Sequence, residues 1–313
     1  MAIRYLSPTS LSQFETNLDE FVFTRICRAP RSIQTLPMAI GSAFDAYIKC
    51  YIAKELHTFP SLKELLATQV EAHNRKDATL IGAHVFNVYK KHGAVADLML
   101  EIGESTPHME FEVEGEVGGV PLLGRPDLFF SLGSEERLCS VLDWKVNGIV
   151  SLSSTSPKPG YIMCKGGTRD GKPHKGAKIG TWNGVRVNLD NTFLDAQWRD
   201  QLTVYAWLVG VPLGEPFVGG IDQLCGMGGG TFGNIRVAQH RYVIGEEEQM
   251  KLLSRLKHAW EVISSGWYYR DMSREDSDAR VEGLRKLVEA QPPAGSKEAW
   301  LRDVVMNRGS RAW

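Results

Sequence analysis

Two apolar runs in the middle of this chain carry charge where a buried strand has least room for it. "GRPDLFF" (Gly124 to Phe130) sets Asp127 directly after a proline, and "SVLDWKV" (Ser140 to Val146) is interrupted by Asp143 and Lys145. Charge inside an apolar strand is costly unless something pairs with it. Residues i and i+2 share one face of a strand, so Asp143 and Lys145 point one way while Leu142, Trp144 and Val146 point the other, toward a core. The turn-like "SLGSEER" between the runs predicts that they pair, which brings Asp127 close to Asp143. Two carboxylates without a counterion repel and push one pKa upward. A hard divalent cation resolves that conflict, because Mg²⁺ favours oxygen ligands. The same carboxylates favour the ammonium form of Lys145. That suits a group that orients a water and stabilises charge developing on a phosphate better than a general base. Metal-assisted phosphodiester hydrolysis fits, since a bound cation lowers the pKa of water and polarises a phosphoryl oxygen. The competing reading of Asp143 and Lys145 is an ordinary salt bridge on a solvated strand face.

The surrounding pattern predicts an α/β protein whose central sheet begins with an antiparallel meander, flanked by helices and preceded by a helical region. Ser7 before Pro8 is an N-cap followed by proline at the first helical position. Leu11, Phe14, Leu18 and Phe21 then recur at helical spacing. Further helices are expected over Met38 to Leu56, Ser61 to Asn74 and Ala78 to His92. Near His108 the period changes: "HMEFEVEGEV" alternates like a half-buried strand, and "GGVPLLGRPDLFFSL" and "RLCSVLDWKV" follow as the next two strands. A helix is expected from about Thr192 to Val209, strands over Phe217 to Leu224 and Ile235 to Ile244, and a helix from about Glu246 to Ser265. We read one domain over 1–313, with a helical region at 1–105, the sheet at 106–245 and C-terminal helices at 246–313.

Segment 151–190 reads as a long inserted loop. Its Ser151 to Leu189 stretch carries Lys158, Lys165, Arg169, Lys172, Lys175, Lys178 and Arg186 against Asp170 alone, inside a chain of formal net charge −1. Steering depends on local rather than total charge, so this segment is a candidate contact for a phosphate backbone. Tyr161 and Trp182 are candidates to stack on unpaired bases, or else to anchor the loop. The five cysteines are scattered, with no Cys-x-x-Cys pair. They read as reduced thiols rather than a zinc or iron–sulfur site. "GGTRDGKP" (Gly166 to Pro173) nearly spells a phosphate-binding loop, but Pro173 stands where the Mg²⁺-binding hydroxyl belongs, so no nucleotide is expected. No apolar run approaches a membrane span of roughly 18 residues, and the N-terminus lacks a signal-peptide pattern. The expected setting is cytoplasmic.

"GRPD" followed by "DWK" resembles the signature of the PD-(D/E)XK nuclease superfamily. Three more motifs in order resemble its RecB-like branch, which includes CRISPR-associated and phage exonucleases: "LSPTSLSQF", "GSAFDAYI" (Gly41 to Ile48) and "QLTVY" (Gln201 to Tyr205). The resemblance spans roughly Leu6 to Tyr205. It implies a restriction-endonuclease-like core and a Mg²⁺- or Mn²⁺-dependent deoxyribonuclease, expected to be an exonuclease in recombination, repair or phage DNA processing in a prokaryotic or phage-infected cell. A structure-specific endonuclease and an inactive DNA-binding module are the alternatives. The resemblance implies that Asp127, Asp143 and the Trp144 carbonyl hold the metal and that Lys145 is catalytic. Asp45 takes the place of the branch's histidine ligand; the other reading of Asp45 is a helix-surface charge. Gln201 and Tyr205 line the site or touch DNA, or simply pack. DNA is the implied partner, with a helicase, recombinase or single-strand-binding protein alongside. Some members carry an iron–sulfur cluster on C-terminal cysteines; no cysteine follows Cys225 here, so none is expected.

Overall fold

The Ser7 side chain accepts the Ser10 N–H and Pro8 follows, which starts helix α1 (Pro8–Thr16) where the sequence places it. The computed structural model describes residues 3–30, 33–55, 61–109, 112–132, 135–163, 173–229 and 234–290. Lys165, Arg169 and Lys172, expected to touch DNA, lie outside these residues. Helix α2 (Leu18–Phe21) runs into a π-helical turn, Val22–Ile26. Helices α3 (Leu36–Glu55), α4 (Leu62–Gln69) and α5 (Arg75–Lys91) follow. Then comes one the periodicity did not announce, α6 (Ala94–Ile102). Gly93, at φ 81°, breaks α5 from α6.

The strands depart from the expected meander. After β1 (His108–Met109), strands β2 (Val113–Val117) and β3 (Val120–Gly124) pair with each other in a separate two-stranded sheet. The chain then breaks at Arg125–Pro126–Asp127 before β4 (Leu128–Leu132), which pairs antiparallel with β5 (Glu135–Asn147). The run expected as one strand is therefore two, in different sheets. Proline, with φ fixed and no N–H to give a ladder, marks the break.

The basic segment is also corrected. It contains β6 (Ile162–Met163), β7 (Ile179–Trp182) and β8 (Val185–Asn188) rather than a loop alone. β7 and β8 form a hairpin around Asn183 and Gly184, both at positive φ (45° and 80°). Asn-Gly favours that turn because it demands φ above zero twice. Val185 and Val187 are buried and Arg186 between them is exposed, a period of two too short to stand out.

Helix α7 (Ala196–Leu208), strands β9 (Phe217–Gly226) and β10 (Ile235–Ile244), and helices α8 (Glu246–Ser265) and α9 (Arg274–Glu289) complete the described chain. The molecule is an α/β protein with N-terminal helices and a mixed sheet of seven strands in the order β1-β4-β5-β9-β10-β8-β7, to which β6 adds at β10. β5–β9 and β10–β8 are parallel, the other pairs antiparallel. Leu128, Phe130, Leu142 and Trp144 pack with α3, α5 and α6 on one face. Val141, Phe217 and Ile221 pack with Trp198, Leu202 and Tyr205 of α7 on the other. A further core joins α1, β3, α8 and α9. Among the described residues, no helix is long and apolar enough to cross a membrane.

Candidate metal centre

The β4–β5 register fixes the site. Leu128 is opposite Leu142, so one step beyond the ladder Asp127 faces Asp143, and the next step sets Pro126 opposite Trp144. Side chains directly opposite in such a pair stand about 5 Å apart at Cβ, which brings the carboxylates together. The Trp144 N–H, which would otherwise seek Pro126, donates to Asp127 Oδ2 at 3.1 Å. In a strand, the N–H and C=O of one residue face the same side. The Trp144 carbonyl thus also faces Pro126, which has no N–H to offer it. The "RPD" sequence therefore does three things at once: it ends the ladder, aims a carboxylate, and leaves a carbonyl oxygen on the same side.

Electrostatics mark this pair as strained by charge. Asp127 is half-buried and Asp143 is 4 % exposed. Burial, then the Asp143 carboxylate and its hydrogen bond, then Asp45, hold the Asp127 carboxyl well above the usual carboxylate range, while Lys49 pulls it back. Asp143 Oδ2 is ion-paired with the Lys145 ammonium. Burial lowers the pKa of that ammonium, but Asp143 and then Asp127 outweigh it, and the net direction is upward. Lys145 is therefore charged and poorly suited to abstract a proton. Its Nζ also donates to Gln201 Oε1 at 3.0 Å, and Gln201 Nε2 donates to the Tyr205 hydroxyl at 3.1 Å. Gln201 and Tyr205, one turn apart on α7, thus hold the lysine in place. Tyr205 is 8 % exposed, and burial followed by Asp143 pushes its hydroxyl pKa up. Gly124 makes room for the ring: a Cβ there would lie 2.8 Å from Tyr205 Cδ1.

Asp45 sits on α3 beside the pair, near enough for its charge to raise the Asp127 pKa. Its Oδ2 is ion-paired with Lys49, one turn on along α3, and Lys49 is 4 % exposed. Asp45 enters the site through its field on Asp127. Among the described residues, no group of three or more His, Cys, Asp or Glu side chains is placed to hold a metal together. What remains is a hard donor set of two carboxylates and one carbonyl. A divalent cation suits that set. The residues fit Mg²⁺ or Mn²⁺ held by Asp127, Asp143 and the Trp144 carbonyl, with water filling the other positions.

The basic segment is placed differently from the expectation. The Lys158 ammonium is ion-paired with Asp195, which caps α7, and lies 5.0 Å from the Trp198 ring centroid. Lys178 pairs with Asp190 at 3.2 Å; Lys175 is exposed. Tyr161 is 7 % exposed and packs against His174 and His240, at 5.2 and 5.9 Å between ring centroids. Trp182 packs against the core on the α3 face. Tyr161 is buried as an anchor of the segment, while Trp182 is half-buried against that core.

Sequence reasoning missed the group beneath Trp144. Its indole Nε1 donates to the Tyr89 hydroxyl at 3.3 Å, and Tyr89 donates to Asp222 Oδ2. Arg241 Nη1 donates to Asp222 Oδ1 at 2.7 Å and its Nε to Glu101 Oε2 at 3.0 Å. Burial, then Asp222, pushes the Tyr89 hydroxyl well up. The signal was present: Asp222 interrupts the apolar "FVGGIDQLCG" much as Asp143 interrupts its own strand.

No family model and no curated protein matches this chain. A solved structure titled "Crystal structure of SSO0001" is 14 % identical over 77 % of this chain and 85 % of that one, with a TM-score of 0.24, a superposition too poor to carry an argument.

Proposed function

We propose that this chain is a divalent-metal-dependent deoxyribonuclease of the RecB-like, restriction-endonuclease-like kind, acting as an exonuclease on DNA. The observation that carries the reading is the buried cross-strand pair Asp127–Asp143 with Lys145 beside it, locked by Gln201. Mg²⁺ or Mn²⁺ bound there would supply Lewis acidity toward a phosphodiester. The chain's own residues do the rest. Asp127 and Asp143 bind the cation and, once it is bound, stay ionised. Lys145 presents an ammonium to the negative charge that grows on a phosphate. Gln201 and Tyr205 keep that ammonium from swinging away. The test is cleavage of end-labelled single- and double-stranded DNA with and without EDTA. Activity that survives chelation, or that persists in Asp143→Ala, overturns the reading. Closed circular DNA separates exonuclease from endonuclease action, because a strict exonuclease leaves circles whole.

A second reading is an inactive DNA-binding module, in which the Lys49 ammonium already neutralises Asp45. Calorimetry with Mn²⁺ decides between the two. A working centre binds the ion and loses it in Asp127→Asn; an inactive one takes up little metal, and the substitution changes nothing.

A further inference from the structure

A large cavity lies away from the carboxylate pair and shares no residue with it. It lies between α1, the π-helical turn and the start of α3, has a volume of about 790 Å³, and is walled by Arg4, Arg25 and Arg28 against one carboxylate, Glu20. That volume is in the range of small-molecule sites, roughly 300–1,000 Å³. The chain as a whole has 36 Lys and Arg against 37 Asp and Glu, so this excess is local rather than compositional. Glu20 is occupied: Gln13 Nε2 donates to its Oε1 at 2.9 Å and Asn17 Nδ2 to its Oε2 at 3.1 Å. Gln13 in turn accepts the Arg25 Nε–H at 3.1 Å, which sets the plane of that guanidinium. Arg4 and Arg28 are exposed and have no carboxylate partner among the described residues.

Arg28 is the most telling of the three. It follows the π-helical turn at φ 59°, the left-handed position where a helix end favours glycine. The Ala29 N–H closes this end on the Phe23 carbonyl at 3.1 Å. An arginine there bears the steric strain of its Cβ, and its side chain lines the cavity. Tyr5 and Met38, the latter 55 % exposed, add an apolar surface beside the cations. Guanidinium groups recognise phosphate through paired hydrogen bonds, and an apolar wall accepts a flat ring.

We propose that this cleft binds a phosphorylated nucleotide unit, its phosphate on Arg4, Arg25 and Arg28 and its ring on Tyr5 and Met38. The inference stands apart from the nuclease reading, because it predicts binding and not turnover. The source is either a free mononucleotide or the phosphorylated end of a nucleic-acid strand.

Calorimetry on the full chain tests it with three probes: dAMP, adenosine and a terminally phosphorylated oligothymidylate. At least one phosphorylated probe is expected to bind and adenosine to bind at least about tenfold more weakly, since one charge-assisted contact is worth that factor. Binding of dAMP identifies the free nucleotide; binding of the oligonucleotide alone identifies the strand end. In the double variant Arg4→Ser/Arg28→Gly the affinity should fall about tenfold or more, with the thermal midpoint unchanged or raised, because glycine relaxes the left-handed backbone. The proposal is overturned if no phosphorylated probe binds, if adenosine binds as well as dAMP, or if the double variant binds like the parent.

Discussion

Strand β5 carries a polar cluster on each of its faces, and the two are built on opposite principles. Under Trp144, Asp222 and Arg241 are 0 % and 1 % exposed in their side chains and neutralise each other, with Glu101 on the second edge of the guanidinium. On the other face Asp143 meets Asp127, acid against acid, offset by Lys145 at Asp143 and by Lys49 near Asp127. The first cluster is closed; its charges have found partners inside the protein. The second sets two acids against each other at a strand end where the ladder has stopped. A buried pair of opposite sign is costly to desolvate but more costly to break. A buried pair of like sign gains stability when one charge is removed, unless something outside the chain supplies the missing cation.

The contrast predicts opposite signs for two similar changes. Asp222→Ala strands the Arg241 guanidinium and should lower the unfolding free energy by about 3–5 kcal/mol. Asp127→Asn keeps an acceptor for the Trp144 N–H and removes a charge, and without added metal it should raise stability by roughly 0.5–2 kcal/mol. Urea unfolding of both variants measures this; a loss in both would mean that the two faces do not differ in kind.

A smaller effect sharpens what the open face does. Gln201→Ala frees the Lys145 ammonium without touching either carboxylate. It should lower DNA cleavage about 10–100-fold and leave Mn²⁺ affinity in calorimetry close to that of the parent. A collapse of metal binding would show that Gln201 supports the carboxylates instead.

The smallest test concerns His240, whose side chain lies on the other face from Arg241, beside Gln223 and Trp198. Burial, reinforced by Arg241, Lys158 and His174, lowers its pKa from 6.5 to about 3. The folded protein keeps it neutral while the unfolded chain protonates it near 6.5. Its contribution to stability is therefore intact above that value and lost as pH falls toward 3, at no more than about 1.4 kcal/mol per unit. In His240→Gln that share of the acid sensitivity should vanish. Equal slopes for parent and variant between pH 6.5 and 5 would place the histidine in water.

Much of this was legible in the chain, for reasons that can be named. Asp143 and Lys145 could be set on one face because a strand's period is two, but the pairing of Asp127 with Asp143 depends on a register shift between Ser131 and Leu132 that no local period encodes. Strands β9 and β10 and helix α8 emerged at the expected positions because their patterns are long. Lys49, four residues after Asp45 and so on the same helix face, was legible as its partner from spacing alone. The β7–β8 hairpin was overlooked because the basic charge of its segment drew the reading away from "WNGV". The partnership of Asp222 with Arg241 was beyond reach in another sense: it joins neighbouring strands to α5 and α6, and no local period encodes which helix covers which strand.

Pro126 has a consequence beyond its own residue. Any amino acid other than proline at that point would carry an amide hydrogen directed at the Trp144 oxygen, and the hairpin could zip one rung further. That oxygen would then be spent on holding the fold together and unavailable to anything that enters from outside. A five-membered ring thus marks the point along β5 where pairing with β4 ends while pairing with β9 continues.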